Sequence, residues 1–100
     1  MTDRTYIIAL DGWNPTLNPH VLDGFIRNST FITNCWNDIP FVFIVTSPLD
    51  AETLSEHVKE YAPGIRFLVM EANPAASEGS LPPAAWEWIK RRSGERVAGA

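Results

Sequence analysis

Four side chains of this 100-residue chain have types that can do chemistry: Asp11, His20, Cys35 and His57. Asp11 closes the apolar run Tyr6-Ile7-Ile8-Ala9-Leu10 and precedes Gly12, so a carboxylate stands where a strand meets a turn. At such a place it can hold Mg²⁺ or polarise a water. Mg²⁺ favours several carboxylates in a shared cage, so a metal at Asp11 calls for the same residue from a second chain. The plainer role is local: Asp11 accepts hydrogen bonds from the turn at 12–14, or pairs with Arg66. His20 opens a helix near the same end of the sheet, and an imidazole beside a carboxylate can move protons. Its plainer reading is a solvent-facing side chain. His57 lies between Glu56 and Val58, near the solvent side of a later helix. Neither histidine stands at metal-ligand spacing with Cys35. Cys35 lacks the Gly-rich elbow and neighbouring His of a thiol nucleophile, and reads as a small apolar filler beside Trp36. Ser47-Pro48-Leu49-Asp50 spells a helix cap. The chain contains no Gly-rich phosphate loop and no paired-carboxylate spacing.

Composition narrows the classes. Eight Lys and Arg against twelve Asp and Glu leave a net charge of −4, which argues against a strong non-specific duplex binder. Lys90-Arg91-Arg92 is the basic cluster, and cations in the last turn of a helix complement its dipole. The longest apolar run, Phe41 to Val45, is far short of a membrane span, so no membrane partner is expected. The opening Met1-Thr2-Asp3-Arg4 shows no signal peptide, and Cys35 has no internal disulfide partner. A cytoplasmic protein is the simplest expectation. The length suits a single domain over residues 1–92 with a C-terminal tail at 93–100.

The elements that must position these residues follow from hydrophobic pattern. Tyr6–Leu10 is apolar on both faces, as a central strand is. Asn18 caps a helix with Pro19 at its first position, running to about Arg27 on a stripe of Val21, Leu22, Phe25 and Ile26. Gly24 inside it suggests a close approach to the sheet. Thr30 to Thr46 holds two β-rich runs joined at Asn37-Asp38, with Pro40 opening the second; this reads as a hairpin with an edge arm. Asp50 caps a second helix, and Leu49 with Leu54 forms a staple across the cap. Ala62-Pro63-Gly64 ends that helix, Ile65–Met70 is a fourth strand, 71–80 is a loop, and Ala84 to about Arg92 is a third helix carrying Trp86, Trp88 and Ile89. The order predicts an α+β fold of the ferredoxin-like β-α-β-β-α-β kind: a two-layer sandwich with an extra C-terminal helix. Right-handed crossovers put the first and third strands inside and both main helices on one face. Because the inner strands are apolar on both sides, the other face needs the C-terminal helix or a second subunit.

The Tyr-Ile-Ile-x-x-Asp first strand, the Trp-bearing hairpin, the aliphatic strand ending Thr46-Ser47, the helix opening Leu49-Asp50-Ala51-Glu52-Thr53-Leu54 and the strand Phe67-Leu68-Val69-Met70 together resemble the SinR-like proteins. These are distant relatives of the small CRISPR adaptation protein that pairs with the spacer integrase, and the likeness covers roughly residues 5–70. The resemblance implies a ferredoxin-like domain, a homodimer and a past in nucleic-acid handling. In the nuclease-like relatives an Asp at the end of the first strand binds a divalent metal across the dimer axis, and Asp11 holds that position here.

Four tryptophans are many for this length. Exposed aromatics on such a sheet can stack bases, but cations on the central strands would accompany them. Core or interface tryptophans fit better, with Trp36, Trp86 and Trp88 as the interface candidates. The leading expectation is a dimeric interaction module without evident catalysis, in a regulatory or defence-related setting, with a protein partner and no cofactor. The alternatives are a Mg²⁺-dependent nuclease or nucleic-acid binder with Asp11 from two chains as metal ligands, and a small-molecule sensor using the loop at 11–18 at the dimer seam.

Overall fold

The computed structural model describes residues 3–92. Its elements are β1 (Arg4–Leu10), α1 (Pro19–Arg27), β2 (Asn34–Ile39), β3 (Val42–Ser47), α2 (Ala51–Tyr61), β4 (Phe67–Glu71), a 3₁₀ turn at Pro74–Ala76 and α3 (Pro83–Arg92). The four strands form one antiparallel sheet in the order β2-β3-β1-β4, so the two most apolar strands lie inside. This is a small α+β fold.

Register assigns each inner residue to a face. Tyr6 pairs with Val45, Ile8 with Phe43, Ile7 with Ile44 and Ala9 with Val42. Side chains alternate along a strand, so Tyr6, Ile8, Phe43 and Val45 share one face and Ile7, Ala9, Val42 and Ile44 share the other. The first set is wholly buried, under Leu22 and Ile26 of α1 and Leu54 and Val58 of α2. Burying a side chain of this size contributes about 2 kcal/mol. The Tyr6 hydroxyl enters this core satisfied, donating to the Leu49 carbonyl at 2.6 Å.

Local chemistry sets the helix ends. Asn18 Oδ1 accepts from the backbone N–H groups of His20 and Val21, and Pro19 occupies the first turn, where no N–H is needed. Asp50 Oδ1 accepts from Thr53 N at 2.8 Å, and this bond chiefly holds its carboxyl below the ordinary range. Removing either cap would cost about 1 kcal/mol.

The second face is half covered. The C-terminal helix α3 packs against β2 and the 3₁₀ turn and buries Ala85 and Ile89. Ile7, Ala9, Val42 and Ile44 are therefore half-buried rather than enclosed. Toward β4 the cover stops: Leu68 is 50% exposed and Met70 54% exposed.

Several expectations need correcting. The hairpin does not turn at Asn37-Asp38, which lie within β2 where the ladder is irregular between Trp36 and Ile39. It turns at Pro40-Phe41, with Ile39 paired to Val42. Phe41 has φ 69°, and Pro followed by a residue of positive φ is the type II turn pattern. An aromatic residue in this conformation is uncommon. It is held by the Leu10 N–H, which donates to its carbonyl at 2.9 Å, and by Gly12 beneath its ring. A Cβ on Gly12 would lie 2.7 Å from Phe41 Cδ2, so here the absence of a side chain is required. Gly24, by contrast, makes no close approach, since a Cβ there would meet nothing within 4 Å. The segment 71–80, expected as a loop or extension, continues β4 through Glu71 and then holds the 3₁₀ turn. The tail at 93–100 lies outside the described residues.

Candidate functional site

A concave feature that brings together Trp36 and Trp86 lies on the second sheet face. Ile7 and Ile44 form its floor, Trp36 on β2 flanks it, and Trp86 and Ile89 of α3 form the opposite wall, enclosing about 350 Å³. Trp36 pairs with Ile44 in the ladder, which places it on this face, while its neighbour Cys35 pairs with Val45 and turns to the main core. On α3, Ala85 and Ile89 sit four residues apart on the buried side and bring Trp86 to the groove. The Lys90 ammonium lies 5.9 Å from the Trp86 ring centroid and donates to the carbonyls of Ala75 and Ser77, tying α3 to the 3₁₀ turn.

Polar groups around the groove are mostly committed. Asn73 Oδ1 accepts from Ala75 N, and Ser77 Oγ donates to the Pro74 carbonyl. Trp36 is the exception: it is 7% exposed, and its Nε1–H is buried with no acceptor among the described residues.

Asp11 lies at a separate corner. Its Oδ1 accepts from Trp13 N at 3.0 Å, and its Oδ2 accepts from Arg66 Nη2 at 3.0 Å and Nε at 3.3 Å. Both local partners expected for it are therefore present together. The Arg66 guanidinium first, and the Trp13 amide second, hold its carboxyl below the ordinary range. Among the described residues no group of three or more His, Cys, Asp and Glu is placed to share a metal ion.

His20 borders a polar cleft with Asp23, Arg27 and Asn37, which Asp11 does not line. His57 is not on the solvent side of α2. It is half-buried and stacked on Phe31, with ring centroids 3.7 Å apart. Burial pushes the Cys35 thiol up to about 11, so it is protonated at neutral pH and a poor nucleophile.

The three interface tryptophans divide. Trp36 and Trp86 line the groove, while Trp88, two residues on and so on another side of α3, borders a shallow pocket with Arg27, Thr33 and Asn34. Trp13 is not a core residue: it is 94% exposed at the tip of the Asp11 turn. No spacing rule distinguishes such a residue from a buried one, and the Asn-Pro punctuation around it was the available signal. The unpartnered Trp36 N–H had no sequence signal at all, because it depends on what α3 places beside it.

Comparison with family models, with curated proteins and with solved structures finds no match. No helix among the described residues is long and apolar enough to cross a membrane.

Proposed function

We propose that this chain is an interaction module of the ferredoxin-like arrangement. It works through contacts rather than chemistry and pairs with a second copy of itself over the part of the second sheet face that α3 leaves open. The carrying observation is the strip formed by Leu68 and Met70, half-exposed and paired in register with Ala9 and Ile7. Four neighbouring apolar side chains in contact with water mark an association surface. β4 is also an edge strand, open to a partner along one side. A two-fold pairing would use the same strip from both chains. The element order and the inner position of β1 and β3 support the ferredoxin-like arrangement. The resemblance of residues 5–70 to the SinR-like proteins belongs to the same proposal, since it implies the same fold and pairing. A role through contacts is supported by Asp11, whose two oxygens are occupied by Arg66 and the turn, and by the protonated Cys35.

The strip supplies a definite share of the pairing energy. Removing the remaining exposed half of a Leu or Met from water contributes roughly 1 kcal/mol. Two such residues on each of two chains contribute about 4 kcal/mol, or about a thousandfold in dissociation constant. Sedimentation velocity from low to high micromolar concentration tests the reading. A reversible dimer is expected, and Leu68→Glu should return the protein to monomer with an unchanged circular dichroism spectrum. A wild-type chain that stays monomeric at high micromolar concentration contradicts it.

A further inference from the structure

We infer that the second copy joins along the free edge of β4, antiparallel and with Val69 on the two-fold axis, so that the two four-stranded sheets become one continuous sheet. This rests on the self-association proposed above and goes beyond it by naming the strand, its register and the backbone groups that bond. The direction of those groups follows from the β1–β4 ladder. Tyr6 pairs with Glu71 and Leu10 with Phe67. At the two ends, Ala72 N donates to the Thr5 carbonyl at 2.8 Å and Asp11 N donates to the Arg66 carbonyl at 3.0 Å. Hydrogen-bonded pairs alternate in an antiparallel ladder, so Leu68 and Met70 bond to β1, whereas Phe67, Val69 and Glu71 turn their N–H and C=O groups outward. No described residue bonds to these outward groups.

The two edges of the sheet differ. β2 is broken by the irregularity between Trp36 and Ile39, and its Cys35 carbonyl already accepts from Arg27 Nη1. Such features discourage pairing along an edge. β4 runs against β1 without a register shift, and Phe67-Leu68-Val69-Met70 contains no Lys or Pro. Register follows from matching outward residues with outward residues. With the axis at Val69, Phe67 of each chain meets Glu71 of the other, and every outward group finds a partner. An axis at Leu68 would need Ile65, whose N–H already donates to the Ala62 carbonyl. An axis at Met70 would set the two Glu71 positions diagonally across the seam, about 7 Å apart, whereas the Val69 axis holds them about 13 Å apart along the strands. The Val69 axis also sets Leu68 opposite the partner's Met70 at the closer, non-hydrogen-bonded positions, which joins the half-exposed strips of both chains.

Backbone amide hydrogen exchange, read residue by residue by NMR, tests the seam in dilute protein and at a concentration where sedimentation shows about nine in ten chains paired. The Phe67, Val69 and Glu71 amides should exchange freely when dilute and slow roughly tenfold when paired, in step with the unpaired fraction. The Leu68 and Met70 amides, bonded to β1, should be protected at both concentrations. Disulfide formation between Leu68→Cys and Met70→Cys chains reads the register. The mixed pair should link faster than either variant alone, since opposed positions lie within disulfide reach. Dimer formation with the Phe67, Val69 and Glu71 amides still exchanging freely would overturn the edge pairing and leave self-association standing. Faster linking of Leu68→Cys alone, or of Met70→Cys alone, would overturn the Val69 axis. A chain that stays monomeric at high micromolar concentration would overturn self-association and edge pairing together.

Discussion

Asn37 is the side chain that closes the hairpin, and replacing it gives a sharp test of how the β2–β3 edge is built. Its Nδ2 donates to the carbonyls of Ile39 at 2.8 Å and Val42 at 2.7 Å, the two residues flanking the Pro40-Phe41 turn. Asn37→Ala removes both bonds. At about 1 kcal/mol net per bond, the loss is about 2 kcal/mol. For a chain of this length that lowers the melting temperature by roughly 10 °C. The positive φ of Phe41 stores a further cost of about 1 kcal/mol that the turn must hold. Asn37→Asp is the informative partner, because it keeps size and shape while exchanging a donor for an acceptor facing two carbonyls. At neutral pH it should lose at least as much as Asn37→Ala. As the pH falls through the carboxylate range the acid regains an O–H donor, and part of the deficit relative to wild type should close. Guanidinium unfolding followed by circular dichroism measures both variants. An Asn37→Ala protein within about 0.5 kcal/mol of wild type would refute the reasoning.

Three further outcomes are expected. Gly24→Ala should raise stability by roughly 1 kcal/mol in the same unfolding assay, because the position is helical and a Cβ there meets nothing within 4 Å. Cys35 should react with thiol reagents far more slowly than a free cysteine at pH 8, since its thiol titrates near 11; a rate equal to that of free cysteine would contradict its burial. Asp11 and Asp50 both have carboxyls held below the ordinary aspartate range, so the stability they contribute is complete above that range and is lost as pH falls through their lower folded-state values. Acid unfolding of Arg66→Ala should accordingly be less steep below pH 4 than that of wild type, by the part belonging to Asp11.

The parts of the fold that were legible in the sequence rest on local or strictly periodic physics. Asn18-Pro19 and Asp50 cap the two helices where expected, because a side-chain oxygen two or three residues from an orphan N–H needs no tertiary context. The double-sided apolar runs of β1 and β3 put those strands inside the sheet, and the antiparallel β1–β4 neighbourhood brought Arg66 to Asp11. The turn was not legible, because it depends on three facts at once: the reach of Asn37, the Leu10 N–H bond to Phe41, and the Phe41 ring lying where a side chain at Gly12 would be. Asn-Asp is a good turn pair by propensity, and tertiary packing overrode it. The groove was legible only as a question about what covers the second face. Its answer, a helix that covers the β2 side and leaves the β4 side bare, depends on the path of residues 72–82, whose pattern specifies no direction.

The claim that a second copy completes the sheet is tested most directly by solvent contact at single side chains. A soluble paramagnetic probe, applied to methyl-labelled protein at low and at high micromolar concentration, reads this at each Leu, Val, Ile and Met. Leu68 and Met70 should be strongly relaxed in dilute solution and shielded when concentrated, while Val21 on α1, equally exposed in the single chain, stays relaxed in both. Equal relaxation of Leu68, Met70 and Val21 at every concentration would contradict the account.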